Sequence, residues 1–80
     1  MNYSKDEILT QINIVMERLF ELDKSELLPQ AKLYEDLDID SIDAVDLLIE
    51  LKRFSGVDIS PEKFKDAKTI QDLVDIIADL

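Results

Sequence analysis

Apolar residues recur at three- and four-residue steps in three separate stretches of this 80-residue sequence. This spacing puts apolar side chains on one face of an α-helix, so each stretch predicts a helix with a buried face. The first predicted helix spans about Asp6 to Leu22, and Ser4 with Glu7 forms a capping-box pattern before it. The second spans about Ser41 to Phe54, and Asp40 is its predicted N-cap.

The C-terminal part of the chain predicts two further helices. Thr69 and Asp72 have capping-box spacing at the start of the last helix. Ser60-Pro61 predicts a short helix before it, because serine is a good N-cap and proline suits the first helical position. One glycine and two prolines are few for a fold with many tight turns. We therefore predict an all-α fold, a small helical bundle of three main helices plus one short helix, in a single domain over residues 1–80.

A long connection, from about Asp23 to Ile39, separates the first two predicted helices and lacks helical periodicity. Connections of this length are uncommon in compact domains unless they are functional. Its larger apolar residues are candidates for holding it against the bundle; they are Leu27, Leu28, Leu33, Tyr34 and Leu37.

The second predicted helix has a wider apolar arc than a surface helix of a small bundle needs. Steps of 100° per residue place one broad apolar face at Ala44, Leu47, Leu48, Leu51 and Phe54. A separate apolar strip consists of Ile42, Val45 and Ile49. Part of the arc is therefore expected to be exposed or to cover a ligand.

Charge narrows the set of partners. Nineteen acidic and nine basic residues give a formal net charge of −10, which argues against binding to nucleic acids or anionic membranes. It favours partners with basic docking patches, and it favours a monomer. The sequence has no cysteine and no histidine, which removes thiolate and imidazole chemistry. No apolar run approaches the length of a membrane span and no signal-peptide pattern is present, so we expect a cytoplasmic protein with no membrane span.

The residues around one serine suggest a function. Asp40-Ser41-Ile42 stands where the connection meets the second helix, so the serine hydroxyl lies at the positive end of the helix dipole. The amides of a helix start also suit a phosphate diester. The frame from Asp36 to Asp43, which reads DLDIDSID, resembles the attachment site of acyl carrier proteins, and the resemblance covers nearly the whole chain from about residue 6.

The resemblance implies a carrier and not an enzyme. Its cofactor would be 4′-phosphopantetheine, attached covalently to Ser41 from coenzyme A, with Asp40 and Ile42 completing the attachment motif. Implied partner-docking residues are Asp38, Asp43, Val45, Asp46, Ile49 and Glu50. Candidates for lining an acyl cavity are Val45, Leu48, Leu51, Phe54, Ile59, Ala67 and Ile70.

The implied partners are a phosphopantetheinyl transferase of the holo-acyl-carrier-protein synthase type, a ketosynthase, an acyltransferase and other acyl-processing enzymes with basic docking patches. Two departures bear on the pathway, fatty acid or polyketide-like biosynthesis. Carriers of fatty acid synthesis usually have glycine two residues before the Asp-Ser pair, where this chain has Asp38. Their second helix tends to end in acids, whereas this one ends with Lys52 and Arg53, so a polyketide-like or other specialised pathway fits slightly better.

A calcium loop is one alternative, because Asp36, Asp38 and Asp40 match positions 1, 3 and 5 of an EF-hand. Position 6 then needs glycine but has Ser41, and position 12 needs glutamate but has Leu47, so no metal site is predicted.

Two further alternatives stay open. One is a peptidyl or aminoacyl carrier, although such domains are less acidic and often have a Gly-Gly-Xaa-Ser type of site. The other is an unmodified acidic helical adaptor, in which the apolar strip would bind a protein partner. Arm attachment to Ser41 distinguishes a carrier from the adaptor.

Overall fold

The computed structural model describes residues 3–56 and 58–79. Its elements follow the predicted order, and the prediction of an all-α bundle with three main helices and one short helix is confirmed. The α-helices are α1 (Lys5–Phe20), α2 (Ser41–Ser55), α3 (Pro61–Asp66) and α4 (Ile70–Ala78). A 3₁₀ turn at Lys24–Glu26, which the sequence did not predict, lies within the long connection. None of the described helices has the length and apolar character needed to cross a bilayer.

Each helix begins at a residue whose side chain accepts a hydrogen bond from the first turn. Ser4 Oγ accepts from the Glu7 amide at 3.1 Å, and Glu7 Oε1 accepts from the Ser4 amide at 3.1 Å. Thr69 forms the same reciprocal pattern with Asp72. These caps satisfy amides that have no partner within the helix, so the predicted helix starts are confirmed.

The end of α1 differs from the prediction by two residues. The helix ends at Phe20 because Glu21 takes a left-handed backbone conformation with φ of 55°. Leu22 therefore lies outside the helix, although it still packs partly buried against the core. A non-glycine residue in this conformation leaves no clear sequence signal.

The core lies between α1 and α4, which pack against each other more extensively than the other helix pairs. Fully buried side chains from α1 meet those from α4; the set comprises Ile8, Ile12, Met16, Ile70, Leu73, Val74 and Ile77. From α2, Leu47 and Leu51 are also fully buried. Among the described residues, no polar or charged side chain is buried in this core.

The long connection is held against the start of α4 by backbone hydrogen bonds. The Leu33 amide donates to the Lys68 carbonyl at 2.9 Å, and the Ile70 amide donates to the Ala31 carbonyl at 3.2 Å. Of the five apolar residues predicted to hold it, Leu27, Leu33 and Leu37 are buried. The prediction is wrong for the other two, since Leu28 and Tyr34 are exposed. The chain turns over residues 33–37, and this turn buries Leu33 and Leu37 while it leaves Tyr34 on the outside.

Candidate functional site

Ser41 is the first residue of α2 and its side chain is exposed. Asp40 fixes the backbone around it, because Asp40 Oδ1 accepts from the amides of Ile42 at 3.0 Å and Asp43 at 2.8 Å. Asp43 Oδ2 in turn accepts from the Asp40 amide at 3.4 Å, which completes a capping box. The sequence predicted Asp40 as the cap but not the reciprocal bond from Asp43. The result is an accessible hydroxyl on a fixed helix start.

The cap changes the expectation for a phosphate at this helix start. The amides of Ile42 and Asp43, which would otherwise be available to an anion, are already bound by the Asp40 carboxylate. A phosphate diester on Ser41 would be attracted by the helix dipole, but these two amides would not be free to donate hydrogen bonds to it.

Asp38, which stands where carriers of fatty acid synthesis usually have glycine, lies in the segment before Ser41. This residue has a φ of 53°, the left-handed region that favours glycine and that aspartate tolerates better than most other residues. Leu37 and Ile39 on either side of it are buried, and the Ile39 amide donates to the Leu33 carbonyl at 3.1 Å. Asp38 therefore occupies a backbone position that suits glycine, and it adds an exposed carboxylate three residues before Ser41.

An apolar groove of about 120 Å³ adjoins the serine. It lies between α2, α3 and the long connection, and Ser41 is part of its wall together with Tyr34, Ala44, Val45, Leu48, Pro61, Phe64 and Lys65. The structure therefore places an exposed hydroxyl directly beside an apolar groove. No local pattern predicted Tyr34 or Lys65 at this groove, because their position depends on how the connection and α3 fold back onto α2.

The predicted cavity residues fall into three groups. Val45 and Leu48 line the groove beside Ser41. Phe54 lies at the opposite end of α2, where its ring packs against Tyr3 with 4.7 Å between centroids. The remaining residues are part of the buried core, namely Leu51, Ile59, Ala67 and Ile70. Their role in holding an acyl chain stays a prediction.

The second apolar strip of α2 is on the surface, as the helical geometry predicted. Ile42 is 73% exposed, Val45 is 55% exposed and Ile49 is 48% exposed. These three side chains form a continuous row, since steps of three and four residues return to the same face of a helix. We call this row the α2 strip.

The predicted docking acids differ in their surroundings. Asp38 and Asp46 are exposed and Asp43 is half-buried. Glu50 differs from them because its carboxylate accepts from Arg18 Nη2 at 2.9 Å and from Arg53 Nη1 at 3.3 Å. No local pattern links Arg18 to Glu50, since the two residues are 32 positions apart.

The three aspartates that partly matched a calcium loop either accept hydrogen bonds from backbone amides or are exposed. Asp36 Oδ2 accepts from the Lys32 amide at 2.9 Å, Asp40 caps α2 and Asp38 is exposed. Within residues 3–56 and 58–79, no group of three or more His, Cys, Asp or Glu side chains could hold a metal ion.

The helical bundle with an exposed serine at the start of its second helix fits the carrier domain that the sequence resembles. Comparison with known proteins shows the class of domain: the phosphopantetheine attachment site family matches residues 11–77. The chain is 40% identical to acyl carrier protein 2 of Ralstonia nicotianae, over 96% of this chain and 95% of that protein. It is also 38% identical to the acyl carrier protein of Myxococcus xanthus, over 92% of this chain and 94% of the relative. The chain belongs to the acyl carrier protein family, whose members carry a covalently attached 4′-phosphopantetheine.

Proposed function

We propose that this chain carries acyl intermediates as thioesters on a 4′-phosphopantetheine arm attached to Ser41. The observation that carries the proposal is the exposed Ser41 hydroxyl at the first residue of α2, within an Asp-Ser-Ile motif and beside an apolar groove. The motif lies inside the part of the chain that matches the attachment family. The chain itself would catalyse no step, and the arm would supply the thiol that forms the thioester.

Attachment is a phosphoryl transfer from coenzyme A. A bond forms between Ser41 Oγ and the β-phosphorus of coenzyme A, and the bond from that phosphorus to the oxygen of adenosine 3′,5′-bisphosphate breaks. The hydroxyl proton passes to a base of the phosphopantetheinyl transferase. On the carrier, Asp40 holds the helix start in place through the amides of Ile42 and Asp43, so the hydroxyl is presented in one position.

Two surfaces of the chain would serve the loaded carrier. The groove between α2 and α3 is open enough to accept part of an apolar acyl chain beside Ser41. The α2 strip would dock ketosynthases, acyltransferases and other acyl-processing enzymes, because an exposed row of large apolar residues is costly unless a partner covers it. Of the two pathways, the basic end of α2 favours a polyketide-like or other specialised one over standard fatty acid synthesis. The cytoplasmic location and the monomeric state stay predictions.

The experiment is intact-mass measurement after incubation with a broad-specificity phosphopantetheinyl transferase, Mg²⁺ and coenzyme A. Wild type should gain one phosphopantetheine, and Ser41→Ala should gain none while keeping its helical circular dichroism. Ser25→Ala is the matched control, since Ser25 is also exposed but lies in the 3₁₀ turn of the connection. Loading of Ser41→Ala, or no loading of wild type by any transferase tried, would contradict the proposal and favour an unmodified adaptor.

A further inference from the structure

The exposed face of α2 changes its charge along its length. At the start of the helix the α2 strip is accompanied by the carboxylates of Asp38, Asp43 and Asp46. Lys52 and Arg53 follow Ile49 by three and four residues, so they continue the same face one turn further on. Their side chains are 60% and 75% exposed. The basic end lies about 15 Å along the helix axis from the acidic end, at 1.5 Å per residue.

Two acids at the basic end, Glu50 and Asp58, are each paired with a basic side chain. The Glu50 carboxylate forms salt bridges with the guanidinium groups of Arg18 in α1 and Arg53 in α2, and its side chain is only 21% exposed. Lys52 pairs with Asp58 at 2.7 Å, but both side chains stay largely exposed, and such pairs bind weakly. A partner that approaches this end therefore meets positive charge, although the whole protein has a formal net charge of −10.

We propose that α2 presents a bipolar docking face to its acyl-processing enzymes. The partner patch that fits it is basic where it meets the start of α2, apolar opposite the strip and acidic where it meets Lys52 and Arg53. An enzyme whose patch is basic throughout is disfavoured, because like charges that face each other across an interface select against the wrong partner. This inference rests on the proposed carrier function, and it specifies the chemistry of the partner.

The test uses acyl-loaded protein and, as probe, a bacterial fatty-acid ketosynthase whose docking patch is basic throughout. Reversing both distal cations, Lys52→Glu with Arg53→Glu, should raise kcat/KM about three- to tenfold at low salt and leave kcat nearly unchanged, because rim charges act mainly on association. The matched control reverses Lys63 and Lys68, which are exposed residues outside α2. It makes the same change in net charge and should alter kcat/KM by less than about twofold.

A reciprocal change in the probe tests the sign of the preference. When the ketosynthase residue that faces the end of α2 is changed from basic to Glu, wild type should become the better substrate and the double reversal the worse one. If the double reversal leaves kcat/KM on the unmodified ketosynthase unchanged or lower, or if the control gives the same gain, the bipolar face is refuted. Lys52→Gln with Arg53→Gln replaces the reversal if a thermal melt shows that the first variant is unfolded.

Glu50 and Asp46 provide a second, isosteric test on the same enzyme. Asp46→Asn should lower kcat/KM because it removes an acid beside the α2 strip, and Glu50→Gln should lower it because Arg18 and Arg53 lose their shared carboxylate and the distal end becomes more positive. An unchanged kcat/KM in both variants would contradict the inference. Intact mass is recorded for every variant: no loading of Ser41 overturns the carrier function together with this inference, while normal loading with flat kinetics overturns the inference alone.

Discussion

The helices α2 and α4 differ in how completely their apolar side chains are buried. In α4, Ile70, Leu73, Val74 and Ile77 are all at most 1% exposed, so the apolar stripe and the buried face coincide. In α2, three large apolar residues lie in the solvent although the helix also contributes to the core. A helix whose apolar arc exceeds its buried face violates the usual pattern, and such violations concentrate at functional sites. The comparison separates a helix that stabilises the fold from one that also offers a surface.

The capped N-termini of the two helices differ in the same way. Thr69 and Asp72 cap α4, and the residue after the cap is the buried Ile70. At α2 the equivalent cap is made by Asp40 and Asp43, and the residue after the cap is the exposed Ser41. Identical backbone chemistry therefore supports stability in one helix and the presentation of a hydroxyl in the other.

The largest effect on stability is expected from truncation in α4. Leu73→Ala removes a side chain that is 1% exposed and leaves a cavity between α1 and α4, so unfolding should require about 3 kcal/mol less. For a domain of this size that is a large part of the total stability. Urea denaturation followed by circular dichroism measures the change. A loss below about 1 kcal/mol would show that α4 is not the main stabilising helix.

A smaller loss is expected when the cap of α2 is removed. Asp40→Ala deprives the amides of Ile42 and Asp43 of their acceptor, which should lower the free energy of unfolding by about 1 kcal/mol. Asp40→Asn keeps an oxygen acceptor and should retain most of the stability. Transferase loading should slow in Asp40→Ala, because the serine loses its fixed position. Equal stability of the two variants would show that the carboxylate is not acting as a cap.

Local patterns predicted the helix starts and the exposed strip correctly, and the reason is physical. Capping involves residues three positions apart, and the faces of a helix follow from its fixed geometry. Ser4, Asp40 and Thr69 could therefore be assigned as caps before the fold was known. The exposure of the α2 strip followed from an arc too wide for one buried face.

Features that depend on distant contacts could not be predicted. The bond from Arg18 to Glu50 needs α1 and α2 to be packed together first. The groove beside Ser41 needs the connection and α3 to fold back, which brings Tyr34 and Phe64 to its wall. The predicted cavity residues included Val45 and Leu48 of this groove together with core residues such as Leu51, because periodicity alone does not say which buried positions border an opening.

The α2 strip offers the sharpest contrast with α4. Ile49→Ala should change the free energy of unfolding by less than about 0.5 kcal/mol, because the side chain is about half exposed and the higher helix propensity of alanine offsets part of the lost contact. Transfer of an acyl group from the loaded carrier to a ketosynthase should nevertheless slow. Ile49→Ala is therefore expected to lower kcat/KM and to spare the stability measured by urea unfolding, whereas the main effect of Leu73→Ala is expected on stability. A stability loss as large as that of Leu73→Ala would assign Ile49 to the core.

The smallest effect concerns the ion pair that joins α1 to α4. Lys5 Nζ donates to Asp75 Oδ1 at 3.1 Å, and Gln71 Nε2 donates to the same oxygen at 3.1 Å. The hydrogen bond from Lys5, followed by that from Gln71, lowers the pKa of Asp75 below its ordinary value. A lowered folded-state pKa adds stability above the unfolded-state pKa, and this stability is lost as the pH falls through the folded-state value, below about pH 4.

Asp75→Asn should therefore be slightly less stable than wild type at pH 6 and low salt, and the difference should disappear in strong acid. Lys5→Gln is the matched partner variant and should show the same convergence. A difference that persists unchanged into strong acid would show that Asp75 acts through packing and not through its charge.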